Sequence, residues 1–99
     1  MTTVAVTLNA LRARREEIVA AARKRHASNV RVFGSVSRGD AGPRSDVDFL
    51  VDFDAEASLL DQVGLMQDLE GLLGVGVDVV SSGGLRPHHE TIRQEAVGL

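Results

Sequence analysis

Val32-Phe-Gly-Ser-Val-Ser-Arg-Gly-Asp-Ala-Gly-Pro-Arg-Ser-Asp-Val-Asp-Phe-Leu-Val51 is the stretch that decides the fold. Val30 to Phe33 read as a strand, which breaks at Gly34-Ser35 and enters a loop of Gly, Pro, Ser and Asp. The chain then resumes as a second strand carrying Asp46 and Asp48. Strand side chains alternate between two faces, so these two aspartates point the same way, about 7 Å apart. Val47, Phe49, Val51 and Phe53 form the opposite, apolar face. Two carboxylates side by side repel each other unless a positive charge lies between them, and a divalent cation answers that need.

The bulk properties narrow the field. Ninety-nine residues predict one domain spanning 1–99, with a single core of a few layers. Aromatic residues are limited to three Phe, so Val, Leu, Ile and Ala must build that core. A formal charge of −3 argues against stable binding of a nucleic-acid duplex, and the scarcity of aromatics removes a stacking platform for single strands. Without cysteine there is neither a disulfide framework nor a thiolate metal site. No run approaches the roughly 20 apolar residues that cross a bilayer, and the start is too short for a secretion signal. A cytoplasmic protein without membrane contact is the expectation.

Outward from the central stretch, Met1 to Val6 read as a frayed start or a short extended segment. Thr7 to about His26 read as one helix, with Leu8, Leu11, Ile18, Ala21 and Ala22 at helical spacing and Thr7 as N-cap. Arg23, Lys24 and Arg25 suit a helix end, where the dipole favours cations. Ala27 to Asn29 read as a turn. Ser58 caps a second helix, in which Leu59, Val63, Met66, Leu69 and Leu73 form the expected apolar face, and Gly74 ends it. Met66 reads as core filler. Val75 to Val80 form a third strand, Ser81 to Gly84 a turn, and Pro87 opens a last helix reaching about Val97. Short apolar strands between helices predict an α/β (α+β) fold: a small mixed sheet with helices packed on one side.

Three features carry chemistry. Asp78 interrupts the most apolar strand, and the helix between strands two and three lets those strands lie together, which would bring Asp78 to the face of Asp46 and Asp48. A solvent-facing edge carboxylate is the plain alternative for Asp78. Three carboxylates without Cys or ligand-spaced His select a hard, oxygen-seeking cation, Mg²⁺ or Mn²⁺. Gly34 lets backbone approach a ligand, the following N–H groups and the Ser35 hydroxyl suit phosphate oxygens, and Arg38 offers a fork-shaped donor. Arg44 contacts either phosphate or solvent, and the sequence leaves that open. Ser45 braces the turn more readily than it reacts. Asp52 and Asp54 read as solvated, and His88 and His89, adjacent on a helix, diverge too far to share one metal.

Gly34-Ser35, Arg38-Gly39 and Ser45-Asp46-Val47-Asp48 resemble the signature of the DNA polymerase β-like nucleotidyltransferases. More narrowly, the chain resembles the minimal nucleotidyltransferases, the antitoxin halves of HEPN/MNT toxin–antitoxin pairs. The resemblance implies two Mg²⁺ ions on Asp46, Asp48 and Asp78, these three being the catalytic residues. It implies Gly34 and Ser35 as nucleotide-binding, with Arg38 and Ser45 as further candidates. The implied reaction is transfer of AMP from ATP to a hydroxyl, a tyrosine of a cognate HEPN toxin, which silences that partner. Two other functions compete: a non-catalytic antitoxin acting by binding alone, and a small-molecule nucleotidyltransferase. The second is weakened by length, since so short a chain has no second domain to shape an acceptor pocket.

Overall fold

The computed structural model describes residues 6–42, 45–84 and 90–99. Met1 to Ala5, Arg44, Pro87, His88 and His89 lie outside the described residues, so the readings made for them are not tested. Thr7 caps the first helix as expected, its Oγ1 accepting from the Ala10 N–H at 3.1 Å. The helix is not continuous to His26, however. α1 spans Leu8–Ala13, Arg14 leaves helical geometry (φ −109°, ψ 19°), and α2 spans Arg15–Lys24. Between the buried Leu11 and Ile18 only Ala13 is apolar, so nothing in that segment holds a continuous helix against the core. The Arg14 guanidinium instead donates to the Leu72 carbonyl at 2.6 Å and to Glu17.

β1 spans Ala27–Phe33 and therefore takes in the residues read as a turn. The reversal lies just before it, at His26 (φ 60°), and Asn29 (φ 49°) sits where the register with the next strand shifts. Ser and Asn resemble turn formers in sequence, but a strand with a bulge uses them equally well. α3 (Gly34–Arg38) follows directly, then β2 (Val47–Phe53). α4 (Leu59–Leu73) opens on a capping box in which Ser58 and Asp61 satisfy each other's backbone N–H groups, and it closes on Gly74 at φ 71°. β3 is Val77–Ser81, and a 3-10 turn covers Ser82–Gly84. Among the described residues the last helix, α5, spans Glu90–Glu95, and it stops short of Val97 because Val97–Gly98 form β4 and pair with Val32 and Arg31.

The sheet order is β3-β2-β1-β4. β2 runs antiparallel to β1 and parallel to β3, and the parallel pair is what requires the crossover through α4. Val32, Val47, Phe49, Val51, Val77 and Val79 cover one face and bury against Leu11, Ile18 and Ala22 of the leading helices and Leu65 and Leu69 of α4. Arg25 at the end of α2 bonds Asp68 of α4 at 2.9 Å, and its guanidinium lies over Gly64, where an added Cβ would come within 2.5 Å of it. That stitch fixes how α4 is rotated. Leu65 and Leu69 turn to the core with Met66, Leu72 and Leu73 beside them, whereas Leu59 and Val63, expected on the apolar face, stay in solvent. The sequence spacing for Met66, Leu69 and Leu73 holds, and the first turn departs from it.

Leu69→Ala is expected to lower the free energy of unfolding by about 2–5 kcal/mol, as for other fully buried leucines. Leu60→Ala is expected to stay within about 0.5 kcal/mol of the parent. Urea denaturation followed by circular dichroism compares the two directly.

Candidate active site

The parallel register sets Asp48 opposite Asp78, with neighbouring strands about 4.8 Å apart. Val47 opposite Val77 and Phe49 opposite Val79 place the intervening apolar side chains on the core face, which leaves the two carboxylates on the other. Asp46 precedes β2 and, two residues from Asp48, shares its side. The Val47 N–H donates to the Gly76 carbonyl at 2.9 Å, so the backbone before β3 runs beside Asp46. A Cβ on Gly76 would overlap the Asp46 carboxylate, and a Cβ on Gly34 would overlap that of Asp48. Gly34 also holds φ 74°, which side-chain-bearing residues seldom adopt. The start of α3 is thereby brought against Asp48. Asp48 is half-buried, while Asp46 and Asp78 are exposed.

Burial raises the Asp48 pKa above the usual carboxylate value, Asp78 and Asp46 raise it further, and Arg38 acts in the opposite direction. The unfavourable charge grouping expected for Asp46, Asp48 and Asp78 is therefore present in the folded chain. Among the described residues no three His, Cys, Asp or Glu side chains are gathered into a finished metal cage. The chemistry of the donor set, three carboxylates without nitrogen or sulfur, with Asp46 and Asp48 held close against glycine backbone, suits a hard divalent cation.

Ser35 is the second residue of α3, partly exposed near Asp48. Arg38 is engaged elsewhere: its Nε donates to Asp40 at 3.3 Å, and its Nη1 lies 3.1 Å from both oxygens of Glu95 in α5. Ser45 braces the loop, its Oγ accepting from the Gly42 N–H at 2.9 Å while its own N–H donates to the Gly42 carbonyl at 3.1 Å.

A model of the nucleotidyltransferase domain matches residues 15–97. The chain belongs to that family. It is 51% identical over 55 residues to protein adenylyltransferase MntA of Thermococcus cleftensis, a match that spans 56% of this chain and 56% of that relative. The chain thus spans about half the length of the relative it matches. A solved structure provisionally described as a minimal nucleotidyltransferase superposes with a TM-score of 0.83 at 48% identity, over 95% of this chain and 97% of that one. A toxin–antitoxin structure with AMP-PNP superposes with a TM-score of 0.72 over 84% of this chain and 69% of that one. At 21% identity, that likeness is one of fold.

The nucleotidyltransferase domain carries a second polar feature on the aspartate-bearing side of its sheet. Asp52, read from sequence as solvated, accepts from Arg31 Nη2 at 2.6 Å, from Asn29 Nδ2 at 3.0 Å and from the Ser82 hydroxyl. It ties β1, β2 and the 3-10 turn after β3 together beside the fully buried Leu50, which stands opposite Arg31. Spacing showed Asp52 in line with Asp48, but its partners come from two other segments, β1 and the 3-10 turn, and left no local signal. The Ser82 hydroxyl, the Asn29 amide and Arg31 together hold the Asp52 carboxyl below its ordinary pKa.

The depressed pKa means that the unfolded chain binds this proton more readily, so the carboxylate stabilises the fold above the ordinary pKa and stops doing so as pH falls through the folded one. Asp52→Asn is expected to cost up to about 1 kcal/mol at pH 7, since the group is partly exposed and screened. The deficit should shrink towards zero in acid. Unfolding midpoints of both proteins measured across pH test this, and a pH-independent difference would contradict it.

Proposed function

We propose that the chain is an Mg²⁺-dependent nucleotidyltransferase that transfers AMP from ATP to a hydroxyl, a tyrosine of a cognate HEPN toxin, and so acts as its antitoxin. The observation that carries this reading is the pairing of Asp48 with Asp78 across two parallel strands, with Asp46 alongside and the Gly34 backbone closed against Asp48. Membership in the nucleotidyltransferase domain family and the relative named as a protein adenylyltransferase support it.

In this mechanism Asp46, Asp48 and Asp78 would hold two Mg²⁺ ions, with Mn²⁺ as a substitute. When bound, the metal neutralises phosphate charge and favours in-line displacement. Gly34 and Ser35 hold the triphosphate through main-chain N–H groups and the Ser35 hydroxyl, with the Gly34 backbone closed against Asp48. Arg38 adds a positive charge beside the site once a phosphate competes with Glu95 for it, and Ser45 keeps the loop before Asp46 in shape. The acceptor oxygen forms a bond to the α-phosphorus, the bond from that phosphorus to the bridging oxygen breaks, and pyrophosphate leaves. Asp78, exposed on its strand, takes the acceptor proton. Because Asp46 and Asp78 are both open to solvent, a protein surface can reach them. The dependence on ATP puts the reaction in the cytoplasm.

The test combines the purified chain, ATP, Mg²⁺ and the product of the adjacent gene, with intact mass as readout. The toxin is expected to gain one or more AMP units, and the Asp46→Ala/Asp48→Ala protein to add none. An unmodified toxin that is still silenced in complex would replace this reading with neutralisation by binding alone. Asp48→Asn should slow transfer about a thousandfold, the loss of several kcal/mol of transition-state stabilisation. The same variant should also lose the rise in melting temperature that millimolar Mg²⁺ gives the parent.

A further inference from the structure

Leu59, Leu60 and Val63 are 75%, 79% and 40% exposed, and all three lie in the first turn and a half of α4. Among the described residues they are the large apolar side chains left most open to water. The fold does not use them. Helix initiation there is secured by the Ser58–Asp61 capping box, and the core by Leu65 and Leu69. Nor is the helix free to rotate them inward. Gln62 Nε2 donates to the Val79 carbonyl at 2.9 Å, and Arg25 holds Asp68 at 2.9 Å from the other side. A clustered apolar patch with no structural duty is a common mark of an interaction surface.

The surroundings of the patch restrict what can cover it. Asp54 and Glu56, with side chains 59% and 83% exposed, stand in the loop leading into α4, and Asp61 lies one turn in. The nearby His26 ring, 3.5 Å from Asp54 and 4.0 Å from Glu56, adds positive charge only when protonated. This acidic rim repels nucleic-acid phosphate and anionic membrane alike. A second copy is disfavoured for the same reason, because a two-fold contact through this patch sets acid against acid. The complementary surface is apolar at its centre and bordered by Lys or Arg.

We propose that Leu59, Leu60 and Val63, rimmed by Asp54 and Glu56, form the surface by which this chain docks its toxin. The proposal rests on the reading above that a toxin partner exists, and it adds where that partner is held. Asp48 stands near the start of β2, whereas Leu59 follows the end of that strand by way of the loop into α4. The patch shares no residue with the aspartate cluster, so docking can be tested apart from transfer.

The experiment measures, by calorimetry, binding of the toxin from the adjacent gene to the parent chain, Leu59→Ser/Leu60→Ser, Glu56→Lys and Asp46→Ala/Asp48→Ala. Leu59→Ser/Leu60→Ser is expected to keep its melting temperature and bind at least tenfold more weakly. Glu56→Lys should associate several-fold more slowly at low salt, and Asp46→Ala/Asp48→Ala should bind as the parent does. Unchanged affinity of the double-serine variant overturns the proposal. So does a toxin-free dimer, seen by sedimentation, that the same variant abolishes. If no protein transfers AMP yet the double-serine variant still loses binding, the transferase reading fails and the docking surface stands.

Discussion

Everything at the site depends on two carboxylates being held in adjacent positions that they would not choose. Asp48 and Asp78 are partners in a parallel ladder, and the energy that keeps them there comes from the other side of the strands. Val47, Phe49 and Val51 on β2 and Val77 and Val79 on β3 are buried against Ile18, Leu65 and Leu69. A one-residue slip would send those side chains to solvent, so the apolar face enforces the polar one. The raised Asp48 pKa expresses the same conflict electrostatically. The folded chain favours the protonated carboxyl, and stability from this position declines as pH rises through its titration. A cation beside Asp48 relieves that penalty, which links ligand binding to stability.

Glycine completes the arrangement at two points. At Gly34 both the left-handed backbone and the closeness of Asp48 exclude a side chain, while at Gly76 space for Asp46 is the governing demand. Neither carboxylate could hold its present position beside a residue bearing Cβ. The loop between α3 and β2 is pinned by Ser45 on Gly42, and the end of α3 by Arg38 reaching Glu95. The polar cluster at Asp52 closes the far end of the same strands.

The strand after Asp46 and the break at Gly34-Ser35 were legible in the sequence because their signals are local. Asp46 and Asp48 are two apart at the start of one strand, Asp46 just before it and Asp48 within it, and the strand break at Gly34-Ser35 is marked by residue type alone. The mixed sheet followed from a helix placed between two apolar strands. What escaped the sequence depended on partners distant along the chain. Leu59 and Val63 fit the helical period as well as Leu69 does, and only Arg25 packing over Gly64 decides which side of α4 faces inward. β4 is two residues long, too short to leave a pattern, and it exists because Arg31 and Val32 offer it an edge. Asp52 gathers Asn29, Arg31 and Ser82 through folding rather than spacing.

β3 occupies one margin of the sheet, and its sequence Val77-Asp78-Val79-Val80 would be adhesive without its charge. An exposed apolar edge strand invites other chains to extend the sheet, and an exposed carboxylate in its middle is a common defence. Asp78 therefore has a second duty, keeping the molecule soluble, whatever it contributes to chemistry. Replacing it with a hydrophobic residue would combine loss of the carboxylate proposed to hold metal with an aggregation-prone margin, and a falling yield would resemble a catalytic defect. A polar, uncharged replacement removes less of that protection, and the two duties are best separated by comparing such a variant with one carrying a compensating charge on a neighbouring solvent-facing position.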